Sequence, residues 1–422
     1  MKLLNISYRI RRVLILYFSF MFLLLGCGRG DTLQPKERVE VSLWYYWEDE
    51  RMQKALAEVI DDFHHSQNRI RVKTQYIPDE DFRKQLALGM ADGKVPELAL
   101  VDSSDFQYFH AMHPFVDLSE EIEEIKTWDA QINKACQVNG HMMGLPVGMN
   151  CAVLYYNKDI LQEAGVLVPQ NVEEISGVAS KVAQNGKYGI LFSAVQSEET
   201  MYSFLPIFWG YGGEVDSINS VQSQRAFSML RDLINSGAMT RECMNLTVGD
   251  LIKQFAQGNT AMIISSSNFV DSIRTMNPEL NFDVALPPGN TLGEHFSIMG
   301  GEILGVLEEE KQKEAIEFLK FFSQQDRFDE FIARCGFFPP FTEVESNDYS
   351  TDEIMYKQSE IFQSCREREF SIEWPSISEE FIKVIEQEMI GQINQIENLD
   401  KAAKRIAEIR EESYEKGDNL TS

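Results

Sequence analysis

The chain has 422 residues, of which 44% are hydrophobic and 11% aromatic, and it carries a formal net charge of -27. This length is too great for one hydrophobic core and predicts two packed lobes. The strong negative charge argues against nucleic acid as a partner, and against anionic ligands or membrane surfaces reached by charge attraction. It favours a neutral or cationic small ligand.

The first 27 residues have the pattern of a secretory signal peptide that is cut before a cysteine. Four basic residues within 2–12 precede an apolar run over 13–25, and Gly26 and Cys27 follow. The alternative is a short transmembrane anchor, but thirteen apolar residues in a helix reach only about 20 Å, less than the ~30 Å hydrocarbon core. We therefore expect residues 1–26 to be removed and Cys27 to be the lipidation site of a bacterial lipoprotein.

This cleavage would define both the location and the charge of the mature chain. Loss of residues 1–26 removes four positive charges and leaves a formal charge of about -31. Residues 27–37 are mostly small, polar or charged, which predicts a tether between lipid and domain. The remainder is expected to be extracytoplasmic and lipid-anchored, on the outer face of the cytoplasmic membrane or in the periplasm.

The folded part begins with alternating strand and helix patterns. Residues 39–44 and 70–76 alternate as strands, and 98–101 is a short apolar run suited to a buried strand. Residues 49–64 and 82–90 have helical spacing of their apolar side chains. The β-α-β-α-β order predicts an α/β fold with helices packed on a mainly parallel sheet.

Two segments follow strands of this sheet, where ligands of such folds bind. The first, over 44–48, contains four consecutive aromatic residues and then Glu48. Strand alternation would bury only two of the four, so at least one ring is expected to face a cleft. The second is the polar set over 102–105. Here Asp102 or Ser104 could equally well cap the next helix.

The cysteines and histidines give no sign of a metal or disulfide framework. Five cysteines follow Cys27, with no C-x-x-C pattern and no neighbouring histidine, and the histidine pairs 64–65 and 110 with 113 are not expected to bind metal. We expect mostly buried free thiols, with a bridge between one pair left open, and no cofactor. These cysteines are Cys136, Cys151, Cys243, Cys335 and Cys365.

Residues 140–165 resemble the crossover segment of the family-1 extracellular solute-binding proteins, the receptors of ABC importers for sugars and related solutes. The resemblance rests on the GLPVG turn at 144–148 and on LYYNKD at 154–159. Residues 92–97 (DGKVPE) resemble the family's step before its third strand, and residues 255–262 (FAQGNTAM) resemble its F-x-x-G-x-x-A-M step. Further landmarks follow in the family's order, so the resemblance covers nearly all of residues 38–415.

The resemblance implies a two-lobe periplasmic-binding-protein-like fold of type II, with a hinge that the chain crosses more than once. Glycine and proline near the first two crossings can absorb the dihedral changes of hinge closure. The implied first lobe comprises residues 38–147 and 284–330, the second lobe comprises residues 151–283 and 334–422, and the crossings lie near 145–151, 282–288 and 328–335.

The resemblance also implies a carbohydrate site in the cleft. Sugars present apolar C–H faces and a rim of hydroxyls, so such a site combines aromatic platforms with carboxylates, amides and backbone N–H groups. Tyr202 falls where the family's second lobe offers an aromatic platform. The candidates that lie in the first lobe and the hinge are Tyr46, Trp47, Glu48, Ser104, Asp105 and Asn150.

One part of the implied site departs from the family. The family usually has a tryptophan shortly after the strand at 261–264, whereas this chain has Ser-Ser-Ser-Asn-Phe. This departure favours an amide contact at Asn268 or a shifted ring at Phe269, and it weakens any transfer of specificity from maltodextrin receptors.

The remaining candidates each have two interpretations. At Gly301 the missing side chain would let the backbone approach the ligand closely. Glu302 contacts ligand or caps its own strand. Trp209 belongs to the ligand site or to a core, and Trp374 belongs to the ligand site or to packing between the lobes.

Together these features predict a monomeric, lipid-anchored receptor that delivers a sugar to an ABC permease, with no catalytic residue. A receptor for a membrane histidine kinase is the alternative that the sequence does not separate from it. A secreted glycoside hydrolase is a third class. It would need two facing carboxylates roughly 5 to 10 Å apart, whereas the acidic residues that map to the cleft are scattered, and no nucleophile elbow, zinc motif or P-loop is present.

Overall fold

The computed structural model describes residues 38–122, 130–340, 351–391 and 394–420. The predicted signal peptide, Cys27 and the predicted tether lie outside these residues. Within the described ranges, no helix is both long enough and apolar enough to cross a membrane.

The described chain contains eleven strands and fifteen α-helices. The strands are β1 (Val39–Tyr45), β2 (Ile70–Tyr76), β3 (Leu98–Asp102), β4 (Gln137–Val138), β5 (His141–Met142), β6 (Leu145–Asn157), β7 (Tyr188–Leu191), β8 (Thr260–Ser266), β9 (Phe282–Ala285), β10 (Ser297–Val306) and β11 (Cys365–Arg366). The helices are α1 (Glu50–Ser66), α2 (Asp79–Asp92), α3 (Phe106–Met112), α4 (Ala130–Cys136), α5 (Lys158–Glu163), α6 (Val172–Ala183), α7 (Glu198–Gly210), α8 (Val221–Asn235), α9 (Val248–Ala256), α10 (Val270–Met276), α11 (Gln312–Phe322), α12 (Gln325–Cys335), α13 (Glu353–Phe362), α14 (Trp374–Ile390) and α15 (Gln395–Leu420).

The predicted opening of the fold is confirmed as β1, α1, β2, α2 and β3, with ends that differ from the prediction by at most three residues. The hydrogen-bonded strand order is β2-β1-β3-β10-β6-β8-β7, with β9 beside β6 and β11 beside β10. β1 and β3 are parallel, as are β7 and β8. The long strands β6 and β10 run antiparallel to their main neighbours, so the sheet is mixed rather than mainly parallel.

Helix α1 illustrates how local sequence produces these elements. Asp49 caps its first turn, because its Oδ1 accepts hydrogen bonds from the backbone N–H groups of Arg51 and Met52 at 2.7 and 3.3 Å. Apolar residues at helical spacing then form its buried face. These are Met52, Ala55, Leu56, Val59, Ile60 and Phe63.

The buried apolar side chains form two separate hydrophobic cores. The first core contains the side chains of β1, β2 and β3 and the end of β10 from Ile303, together with α1, α11 and α12. The second core contains most of β6 and the apolar residues of β8, together with side chains of α7, α8 and α14. β6 and β10 contribute to both cores, so these two strands join them.

The chain passes from one core to the other at three places, and one of these places differs clearly from the predicted crossing. Along β6 the change falls between Val147 and Met149, and after α12 it falls between Phe337 and Phe338. The predicted crossing near 282–288 is wrong, because residues 282–285 form β9, which pairs with the far end of β6. Their apolar side chains therefore pack in the second core, and the chain crosses within β10 at 300–302.

The prediction of mostly buried free thiols is confirmed for the five cysteines. Four of them are buried and Cys365 is partly exposed, and all five are free. Within the described residues, no group of three or more histidine, cysteine or acidic side chains could hold a metal ion.

Candidate functional site

A cavity of about 260 Å³ lies between the two cores, against the crossing strands. Elements of the first core supply the segment after β1, the start of α2 and Glu302 on β10. Elements of the second core supply the segment after β8, the start of α7 and the start of α9. The lining residues are Tyr46, Trp47, Glu48, Asp49, Met52, Tyr76, Pro78, Asp79, Glu80, Asn150, Val195, Glu199, Thr247, Val248, Ser266, Asn268, Phe269 and Glu302.

The aromatic run after β1 divides between core and cavity. The ring of Tyr46 lies 5.0 Å from that of Phe82, and its hydroxyl donates to the carboxylate of Glu302. Trp47 is only 5% exposed, and its ring lies 6.1 and 6.0 Å from those of Phe331 and Phe337. Its buried indole N–H nevertheless has no hydrogen-bond partner of normal geometry among the described residues. Trp47 is therefore both a core residue and a cavity wall.

Six carboxylates line the cavity, and no lysine, arginine or histidine of the described chain joins them. Burial raises the pKa of Asp79 to about 6, helped by the negative charge of Asp102, although a hydrogen bond from Ser197 opposes this. Burial and the charge of Asp79 raise the pKa of Glu199 to about 8. Burial, then the charge of Asp102, raises the pKa of Glu302 well above its usual range.

Two asparagines bring amide groups to the cavity. Asn150 on β6 is 7% exposed and accepts a 2.8 Å hydrogen bond from the Tyr202 hydroxyl through Oδ1. Asn268 is 4% exposed, and its Oδ1 accepts a hydrogen bond from the Ser266 hydroxyl. The backbone of Gly300 pairs with Asn150, and a Cβ added to this glycine would lie 2.3 Å from the Asn150 Oδ1. Glycine at this position therefore permits the close contact.

Polar contacts join the two cores around the cavity. From α1, Arg51 donates to the backbone oxygen of Asn268 at 2.6 Å. From α2, Arg83 donates to Asp105 at 2.9 and 2.7 Å and to Glu198 on α7 at 2.7 Å. The fully buried side chain of Arg368 donates to Asp102 at 2.8 Å and to Glu198 at 3.4 Å. In the described arrangement these contacts therefore hold the two cores together.

The structure brings seven of the thirteen predicted ligand-site residues into one cavity. They come from four separate parts of the sequence and meet where β6 and β10 pass between the cores. They are Tyr46, Trp47, Glu48, Asn150, Asn268, Phe269 and Glu302.

Three of the remaining predicted residues lie just behind the wall. Ser104 is fully buried, and its N–H and hydroxyl both donate to the Asp102 carboxylate, at 2.7 and 2.6 Å. Asp105 pairs with Arg83, and Tyr202 lies behind Asn150. These side chains position the wall.

The other three do not line this cavity. Gly301 accepts a backbone hydrogen bond from Ser103 at 3.0 Å. Trp209 and Trp374 line a separate cavity of about 370 Å³, where the guanidinium of Arg366 lies over the Trp209 ring and the indole N–H of Trp374 donates to Glu198 at 2.9 Å.

Sequence reasoning missed the residues at the starts of α2, α7 and α9. Asp79 and Glu80 follow β2, and Glu199 lies in the first turn of a helix that follows β7. The rule that ligands lie beyond the carboxyl ends of strands applies to β2 and β7 as well as to β1 and β3. Applied to every strand, it would have included these carboxylates.

Comparison with known proteins agrees with this arrangement. Residues 58–357 match the model of the family described as bacterial extracellular solute-binding protein. A binding protein of Brucella abortus is 25% identical over 222 residues, 50% of this chain and 54% of the relative, so the match spans about half of that relative's length. The Multiple sugar-binding protein of Streptococcus mutans is 22% identical over 324 residues, 71% of this chain and 74% of the relative.

Solved structures show the same fold. The structure described as maltose-bound T. maritima MalE3 superposes with a TM-score of 0.78 at 20% identity, covering 87% of this chain and 99% of that one. The predicted two-lobe α/β fold is thereby confirmed. The family match covers well over half of the chain and describes binding proteins, not enzymes. This chain belongs to the bacterial extracellular solute-binding protein family, whose members bind solutes outside the cytoplasm.

Proposed function

We propose that this protein is a receptor that binds a sugar or oligosaccharide in the cavity between its two cores and delivers it to an ABC permease. The observation that carries the proposal is the composition of the cavity wall. Aromatic side chains at Tyr46 and Trp47 stand beside amides at Asn150 and Asn268 and beside carboxylates. Aromatic faces suit the C–H surfaces of a sugar ring, and the planar polar groups suit its hydroxyls.

The position of the cavity supports a closing mechanism. Its wall is contributed by both cores, so a ligand that contacts both would stabilise the arrangement in which they are held together. We propose that this ligand-bound form is the one recognised by the permease. The sugar ligands named for the similar proteins from Streptococcus mutans and T. maritima support the same solute class.

The binding proposal is tested with purified residues 28–422 and a panel of oligosaccharides. At least one saccharide should bind in calorimetry and raise the melting temperature, because a ligand that binds only the folded state stabilises it by mass action. Asn150→Ala should weaken that binding. Asn185→Ala, an exposed asparagine beyond α6, is the matched control and should not. If no saccharide binds and a peptide does, the sugar proposal is wrong.

The lipid anchor is a separate proposal that rests on the sequence alone. A lipid on Cys27 and a tether over 27–37 would hold the receptor near the permease and raise their effective concentration. Cys27→Ser in cells should release the protein from the membrane fraction while the purified variant keeps its solute affinity. Retention of the variant in the membrane fraction would refute lipidation at this residue.

The permease partner is tested in the same cells, and the oligomeric state is tested with the purified protein. A delivering receptor should be required for uptake of its saccharide, and the purified protein should be a monomer in light scattering. Unimpaired uptake after deletion, with loss of a transcriptional response to the saccharide, would instead favour the histidine-kinase alternative.

A further inference from the structure

The cavity between the cores contains buried carboxyl groups without a matching cationic side chain among the described residues. Among the residues that the structure describes, Asp79, Glu199 and Glu302 have no cationic side chain within 4.0 Å, and all three line the cavity. Glu302 is 8% exposed, and the other two are partly buried. An ionised carboxylate that is buried without a cation is costly, so such a group takes up a proton instead, as the raised pKa values of these three carboxyl groups indicate.

The nearby arginines are already committed to other carboxylates. Arg83 holds Asp105 and Glu198, and Arg368 holds Asp102 and Glu198. Two guanidinium groups thus serve three carboxylates behind the wall. Neither of these two guanidinium groups forms an ion pair with a carboxylate that lines the cavity, in the part of the chain that the structure describes.

A second feature of the cavity points to a ligand. The indole N–H of Trp47, which lines the cavity, is buried and makes no hydrogen bond of normal geometry among the described residues, since its interaction with the Glu302 carboxyl group falls short of one. A buried donor of this kind is normally paired. A ligand hydroxyl or ring oxygen would accept from it, which fits a saccharide.

We propose that the preferred ligand is a saccharide that carries a protonated amine, held among Asp79, Glu199 and Glu302. This inference rests on the proposed sugar-binding function and deepens it. The ammonium would supply the positive charge that the cavity lacks and so favour the ionised form of these carboxyl groups, which can accept its hydrogen bonds. The rings of Tyr46, Trp47 and Tyr76 line the same space and offer faces for a cation or for sugar C–H groups.

The test compares two forms of one oligosaccharide that differ only at nitrogen, the free amine and its N-acetyl derivative. Calorimetry with purified residues 28–422 should give an affinity at least about tenfold higher for the amine, the effect expected of one charged hydrogen bond. Glu199→Gln and Asp79→Asn should each weaken the binding of the amine more than that of the N-acetyl form, and so remove most of this preference.

The matched control is Asp92→Asn, which makes the same chemical change at the exposed far end of α2. Asp92 is about 20 Å along the helix from Asp79, so this variant should keep the preference for the amine. Loss of preference in the control would indicate long-range charge attraction in place of a subsite, and it would overturn the inference.

The other outcomes separate the two proposals. If the N-acetyl form or a neutral oligosaccharide binds as tightly as any amine-bearing one, the inference is overturned and the sugar-binding function stands. If no saccharide binds and a simple polyamine such as spermidine does, the sugar-binding function fails and the inference fails with it.

Discussion

Replacement of Arg51 by methionine tests whether the described arrangement of the two cores is the ligand-bound one. Arg51 lies on α1 in the first core, and its guanidinium donates to the backbone oxygen of Asn268 in the second-core segment at 2.6 Å. It also donates to the backbone oxygen of Arg334 at 2.9 Å, on its own side. The side chain is 22% exposed, so solvent screens it only partly. Arg51→Met therefore removes one charged hydrogen bond between the cores.

A hydrogen bond to a charged group contributes about 1.5–3 kcal/mol. If the bond to Asn268 exists only when the cores are together, its loss should weaken ligand binding by about tenfold to about 150-fold. The assay is calorimetry with the tightest saccharide of the panel. Arg69→Met is the control, because Arg69 is 48% exposed and pairs with Glu314 and Glu317 on the first-core side. The saccharide affinity of this variant should stay within about twofold of that of the wild type. Equal affinities for the wild type and Arg51→Met would refute the reasoning.

Three further predictions concern the cavity wall. Trp47→Ala should cost about 3–5 kcal/mol of stability because the ring is in the first core. Trp47→Phe should retain most of the stability and bind saccharide about threefold to about tenfold more weakly. Equal melting temperatures for Trp47→Ala and the wild type would contradict this. Burial raises the pKa of Glu199 to about 8, so the contribution of this group to stability is lost as pH rises from about 4.5 through about 8. The melting temperature of Glu199→Gln should therefore rise relative to that of the wild type over this pH range. A difference that stays constant with pH would argue against a buried carboxylate. Gly300→Ala places a Cβ 2.3 Å from the Asn150 Oδ1 and should lower the free energy of unfolding in urea by about 1–3 kcal/mol. Gly177→Ala in α6, where the added Cβ has no atom within 4 Å, is the control and should be neutral or stabilising by up to about 1 kcal/mol. Equal effects of the two variants would show that the cavity wall accommodates the added methyl group without strain.

The sequence was sufficient for local elements and for much of the first-core side of the cavity. The strand alternation over 39–44 and the helical spacing over 49–64 depend on residues close in the chain, and both predictions are confirmed. The argument that four consecutive aromatics cannot all be buried predicted that at least one ring faces a cleft, and Tyr46 and Trp47 line the cavity. It treated core and cavity as alternatives, however, and Trp47 belongs to both.

The predictions that the structure corrects depend on pairing between distant segments. β9 at 282–285 pairs with β6, more than 120 residues earlier, and no local pattern specifies that pairing. The sequence leaves two interpretations for Trp374, and the structure shows that its indole N–H donates a hydrogen bond to Glu198, 176 residues away. The charge imbalance of the cavity is of the same kind, because it depends on which carboxylates the arginines have already paired.

A crystal structure of residues 28–422 with the tightest-binding saccharide tests the proposed site most directly. The proposal predicts a sugar in the cavity between the cores, with a ring face against Tyr46 or Trp47 and hydroxyls within hydrogen-bond distance of Asn150 and of at least one lining carboxylate. A saccharide bound elsewhere, or a cavity that stays empty while calorimetry reports binding, would contradict it.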